Sequence, residues 1–210
     1  MPTPSPYRLP PLALRAFLYL LLVALLAQGA FWEASHLPEW RFTERGFTEL
    51  AQGGLLLGAS LLLLYTRQGL GLLPNVTLLL FAFTFGSFIR EQDYWLDTHV
   101  FDGAWQLLAA LVMLPSLYWV LRRRRRFAEE FADYANSLSF GLFAAGFLTT
   151  YVFSRLYGRS AFWEAILQEQ YLRTFKDAAE EVVELLGYGL VLIAMIELVI
   201  LARHWRRTRA

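Results

Sequence analysis

The 210-residue chain contains no cysteine. Disulfides, thiolate metal sites, iron–sulfur clusters and cysteine nucleophiles are therefore excluded. Charge is scarce as well: 18% of residues are Asp, Glu, Lys or Arg, against about a quarter in soluble proteins. Of the three histidines, His36, His99 and His204, none sits in the middle of an apolar stretch, so a pair of axial ligands for a b-type haem is missing. Neither HExxH nor GxSxG occurs, which leaves a zinc protease or an α/β-hydrolase nucleophile without its motif. What is plentiful is hydrocarbon, at 57% hydrophobic residues and a mean hydropathy of +0.39. A nucleic-acid-binding domain, a disordered regulator and a secreted disulfide scaffold are all incompatible with that composition.

Six apolar stretches, at about 12–32, 49–66, 70–90, 101–121, 134–155 and 182–203, approach the roughly 20 residues a helix needs to cross a hydrocarbon core. They are too continuously apolar to alternate like barrel strands, and lipid gives an open backbone nothing to bond. The sequence predicts an all-α integral membrane protein, one domain over 1–210, with six transmembrane helices in three hairpins. The first stretch shares features with a signal peptide, in Arg8, an apolar run and Ala27-Gln28-Gly29-Ala30, but its length favours an uncleaved helix.

Orientation follows from basic residues. With the N-terminus cytoplasmic, that side receives twelve of the nineteen Lys and Arg, including Arg8, Arg15, Arg67, Arg122 to Arg126 and Arg203. The positive-inside rule then puts both termini in the cytoplasm, and a bacterial cytoplasmic membrane is the expected location. Fourteen of the eighteen acids fall on the outer side, against seven basic residues there. The run Arg122–Arg126 is expected to contact anionic lipid headgroups, and so short a loop argues against nucleic acid as a partner. Trp32, Trp40, Trp95, Trp105 and Trp163 form an outer aromatic belt. The sequence specifies no oligomeric state.

The returning helices open alike, with Glu49, Asp102 or Glu184 followed by small or polar residues and then a hydrocarbon run. This pattern admits an ancestral threefold repeat, although an acid at a helix N-terminus is favoured by the dipole alone. Small residues at Gly53, Gly54, Gly58, Gly141, Ala144, Ala145 and Gly146 mark seams of close helix approach.

The densest polar segment, Arg90 to Asp102, joins the third and fourth stretches. If the third helix continues through it, Arg90, Asp93 and Asp97 share one face. On the last helix Glu181, Glu184 and Tyr188 share a stripe, and on the second Glu49 precedes Gln52. Carboxylates from distant segments thus reach one depth, where each must bind a cation, pair with Arg90 or Arg155, or keep its proton. The predicted ligand set is Glu49, Glu91, Asp93, Asp97, His99, Asp102, Glu181 and Glu184. Oxygen ligands with one imidazole suit a divalent calcium, manganese, iron or magnesium ion. A metal-dependent enzyme for lipid or lipid-linked substrates would use Asp93, Asp97, His99 and Glu184 to hold the ion and its water.

Two alternatives stand beside this reading. A cation or proton carrier would use the same acids outside and Glu197 as an inner station. Against it, Leu55–Leu64 and Leu190–Ile196 offer almost no polar route, and Glu197 can instead pair with Arg15 or Arg67. A non-catalytic assembly partner would hold every acid in an ion pair. Finally, Ala161 to Ala179 interleaves aromatic and charged residues, predicting an amphipathic interfacial helix between helices 5 and 6 that roofs the acidic cluster.

Overall fold

A computed structural model describes residues 9–36, 42–43 and 46–209, and among them all regular structure is helical. The expectations for Arg8, Glu39, Trp40, Arg41, Glu44 and Arg45 lie outside the described residues. In chain order the helices are α1 (Leu9–His36), α2 (Phe47–Leu64), α3 (Pro74–Arg90), α4 (Asp93–His99), α5 (Ala104–Arg122), α6 (Arg124–Ala135), α7 (Leu138–Phe147), α8 (Ser154–Tyr157), α9 (Ser160–Leu167) and α10 (Arg173–Arg209). Wider π-helical turns, Tyr65–Gly69 and Leu148–Phe153, extend α2 and join α7 to α8.

Among the described residues four helices are long and apolar enough to cross a membrane: Leu12–His36, Phe47–Gly69, Ala104–Arg122 and Arg173–Thr208. Counting Arg124–Ala135 with Leu138–Tyr157 as one span bent by 95° brings the number to five, and Pro74–Arg90 is a shorter apolar helix of 17 residues.

Helix ends follow local chemistry. The turn after α2 places Gly71 and Leu73 at positive φ, and Pro74 starts α3 where its missing N–H costs nothing. The first free N–H groups of α3, on Asn75 and Val76, donate to Glu130 Oε2 of α6 at 2.7 and 3.1 Å. Glu33 of α1 does the same for α2: wholly buried, it accepts from the Thr48 N–H at 2.7 Å and the Thr48 hydroxyl at 2.6 Å. Both acids act as caps borrowed from another helix, matched to the positive end of the dipole.

The long α10 is the axis of the bundle, packed against α7 and α2, with α3 between α2 and α5 and α1 lying on α2 and α10. Its inward face, Val191, Ala194, Met195 and Leu198, meets Ala59 and Leu63 of α2 in a fully apolar core. Close approach of α7 and α10 depends on glycine. A β-carbon on Gly146 would lie 2.7 Å from the Gly187 carbonyl oxygen, and one on Gly187 would overlap Thr150 Oγ1. Of the other predicted seam residues, Gly58 stands at ordinary contact distance from Leu192, whereas Gly54 and Gly141 face open space. The peripheral α1 and α5 leave Leu14, Phe17, Leu20, Leu111 and Leu114 exposed, as lipid-facing helices do.

Three sequence expectations change. The stretch at 134–155 does not start a straight span: α6 turns by 95° before Leu138, because Ser137 accepts the Phe140 N–H and caps a new helix. The predicted amphipathic helix over 161–179 is two pieces, an eight-residue α9 and the first turns of α10, separated by the turn Gln168–Gln170. In consequence Glu184 lies well inside α10, unlike Glu49 in the first turn of α2, and the likeness of the three helix openings does not extend to their geometry.

Candidate functional site

At one end of the bundle a cavity of about 380 Å³ is lined by Glu49, Arg90, Glu91, Asp93, Trp105, Arg155, Glu180, Glu181 and Glu184. Six helices and the segment after α3 contribute. Glu49 stands in the first turn of α2, Arg90 ends α3, and Asp93 opens α4. Glu180, Glu181 and Glu184 come from α10 and Arg155 from α8.

Arg90 and Glu184 organise the inner wall. Arg90 Nη2 lies 2.8 Å from Glu91 Oε1 and 3.3 Å from Glu184 Oε2. The Tyr188 hydroxyl donates to Glu91 Oε1 at 2.8 Å, closing a ring of partners around that guanidinium. Glu184 is itself buried and accepts from Ser154 Oγ at 3.1 Å and from Arg155. Arg155 reaches across to Glu180 at 3.4 Å, whose other oxygen is 3.3 Å from Lys176. So the buried Glu184 carboxylate is held between two arginines, as a charge taken out of water requires.

The rest of the lining is less balanced. Six carboxylates face two guanidiniums in this cavity. Glu181 is supported by a neutral donor: Gln52 Nε2 gives hydrogen bonds to its Oε2 at 3.0 Å and to its carbonyl at 3.1 Å. The amide oxygen of Gln52, fully buried beside this carboxylate, accepts no hydrogen bond among the described residues. A buried acceptor left unpaired costs about 1–3 kcal/mol.

Of the eight predicted ligands, Glu49, Glu91, Asp93, Glu181 and Glu184 line the cavity. Asp97, His99 and Asp102 do not. The reason is a break after Arg90: Glu91 and Gln92 form a turn, and α4 starts afresh at Asp93, so Arg90, Asp93 and Asp97 do not share a helical face. Asp97 turns instead to α5, where its Oδ1 accepts the N–H groups of Gly103 and Ala104, both at 3.1 Å. His99 stacks on Trp95 with ring centroids 5.1 Å apart and lines an adjoining hollow of about 270 Å³ that shares Glu49 and Glu91. Asp102 is exposed in the turn before α5. The set Asp93, Asp97, His99 and Glu184 therefore does not converge on one point. Among the described residues no group of three or more His, Asp or Glu is arranged to hold a metal ion.

Glu180 was missed as a lining residue, although its spacing of four from Glu184 puts both on one helical face. Glu197, expected as an inner station, is buried and paired. Arg15 Nη1 lies 3.0 and 2.9 Å from its two oxygens, and the Tyr19 hydroxyl donates at 2.7 Å. Arg67, the other candidate partner, bonds the Pro74 carbonyl. Glu197 follows Glu184 by thirteen positions of α10, about 20 Å of helix, with Leu185, Val191, Ala194 and Met195 between them buried among apolar neighbours. No family model, curated protein or solved structure matches the chain.

Proposed function

We propose that this membrane protein binds a hydrated divalent cation, calcium or magnesium in character, in its acidic cavity. The observation that carries the reading is the six carboxylates and two guanidiniums lining one cavity of about 380 Å³. Since no bare-ion cage is present among the described residues, the ion keeps much of its water, as magnesium commonly does. Glu184, already clamped by two arginines, serves as scaffold in this reading, and Glu181, Asp93 and Glu49 supply the field.

The surrounding topology belongs to the same proposal: six spans in three hairpins, both termini cytoplasmic, in a bacterial cytoplasmic membrane, with the cavity extracytoplasmic. The pairwise packing of α1 with α2, α3 with α5 and α7 with α10 supports the hairpins. A second reading, an assembly partner whose acids are wholly ion-paired, is favoured by the Arg155–Glu184–Arg90 chain. Thermal unfolding of the purified protein separates the two. At ten times its Kd an ion stabilises the folded state by about 1.4 kcal/mol, which raises the Tm of a chain of this length by roughly 3–6 °C. The expected result is such a shift with calcium or magnesium, lost in a Glu49→Gln, Glu181→Gln double variant. Equal behaviour of the two proteins favours the assembly partner.

A further inference from the structure

At the opposite end of the bundle, α3, α5, α6 and α7 enclose a groove of about 340 Å³ whose walls include Phe83, Leu114, Leu117, Phe127, Phe131 and Phe143. The aromatic wall is ordered by ring contacts: Phe83 meets Phe143 edge to face at 5.7 Å, and Phe131 meets Phe140 likewise at 5.6 Å. The size suits one small apolar ligand or chain. Leu114 and Leu117 are exposed on its α5 rim, so the groove opens toward the space that lipid tails fill.

Two of the helices that line the groove, α5 and α6, carry the arginine run between them. Arg122 ends α5, Arg123 is the junction, and Arg124 to Arg126 open α6 immediately before Phe127. A hollow of about 750 Å³ is lined by Leu121 and all five arginines. Only Arg126 forms a salt bridge among the described residues, at 3.3 Å to Glu130. Arg123 lies over the Trp119 ring at 4.2 Å, and Arg122 hydrogen-bonds the Tyr118 hydroxyl at 3.0 Å. Arg124 and Arg125 are exposed. The 95° bend after α6 lays this amphipathic helix along the membrane surface if α7 crosses it, the pose in which such helices meet anionic headgroups.

An apolar groove and a cationic bowl joined through Leu117 and Leu121 match the two halves of one amphiphile. We propose that this face is a site for a single anionic phospholipid, with an acyl chain in the phenylalanine groove and its phosphate on Arg122 to Arg126. This differs from a general attraction to the leaflet in requiring the groove as well as the charge, and it is independent of the acidic cavity.

Native mass spectrometry of the detergent-purified full chain tests it, with phosphatidylglycerol, phosphatidylcholine and inorganic phosphate as separate probes. Phosphatidylglycerol is expected to be retained as one adduct, in preference to the other two. An Arg124→Gln, Arg125→Gln variant should weaken that retention about 30-fold, from roughly one surface-charge increment per arginine. Loss of groove contact in Phe131→Ala should weaken it about fivefold. Leu117→Gln, on the exposed rim, should act in the same direction without depending on the core. Circular dichroism identifies any variant that fails to fold. Equal retention of phosphatidylcholine, or loss with the arginine variant but none with Leu117→Gln, would overturn the proposal. Retention of phosphate as strongly as of the lipid would do so too.

Discussion

Replacing Arg15 by leucine leaves Glu197 buried in the apolar body of α10 with one remaining donor, the Tyr19 hydroxyl. The carboxylate then loses two charge-assisted contacts at 3.0 and 2.9 Å. Breaking a buried pair in this way costs about 3–5 kcal/mol, because the surviving charge is uncompensated. The reverse change, Glu197→Leu, takes one partner from Arg15, whose side chain is 17% exposed and can reach toward headgroups, so it should cost less, about 2 kcal/mol. The double variant Arg15→Leu, Glu197→Leu removes both charges and should be no less stable than Arg15→Leu alone. Denaturant unfolding in mixed micelles, run as a double-mutant cycle, measures the coupling, and at least about 1.5 kcal/mol is expected. Additive losses would refute the pairing argument. They would also reopen Glu197 as a proton station, because an acid without a structural partner needs another reason to lie there.

Gly187→Ala should destabilise the bundle by about 2–4 kcal/mol, since its β-carbon overlaps Thr150 Oγ1 on the facing helix. Gly54→Ala, in open space, is the matched control and should be nearly neutral in thermal unfolding. Glu33→Ala removes the acceptor for the Phe42 and Thr48 N–H groups and the Thr48 hydroxyl, with an expected cost of about 3 kcal/mol. Protease susceptibility of the α1–α2 connection should rise with it. Because the chain has no cysteine, single substitutions map topology directly. Asp93→Cys should react with an impermeant maleimide on intact cells, and Arg125→Cys only after permeabilisation; the opposite pattern would invert the orientation.

The helical membrane character was legible because apolar runs of spanning length leave few alternatives, although the third run, expected from residue 70, becomes helical at Pro74. The course of α10 before residue 182 was not. Residues 161–179 read as one interfacial helix from their interleaved aromatic and charged side chains, and the turn at Gln168–Gln170 divides that segment so that its last part opens α10 instead. At the cavity, Glu49, Glu91, Asp93, Glu181 and Glu184 were found from depth alone, because an acid near an apolar run needs compensation wherever it points. Asp97 and His99 were misplaced for the opposite reason. Their roles hang on the two-residue break at Glu91-Gln92, which has neither proline nor glycine to announce it. Glu33 and Glu130 looked like ordinary polar residues, and their work as caps for α2 and α3 is visible only when the helices are assembled.

The acidic cavity is tested most directly by equilibrium dialysis of radioactive calcium against the purified chain. One ion per chain, with a Kd of about 0.1–1 mM as extracellular oxygen sites show, displaced by excess magnesium and lost in Glu49→Gln, Glu181→Gln, is the predicted result. Calcium retention that is absent in the unaltered protein, or that survives the double variant undiminished, would contradict it.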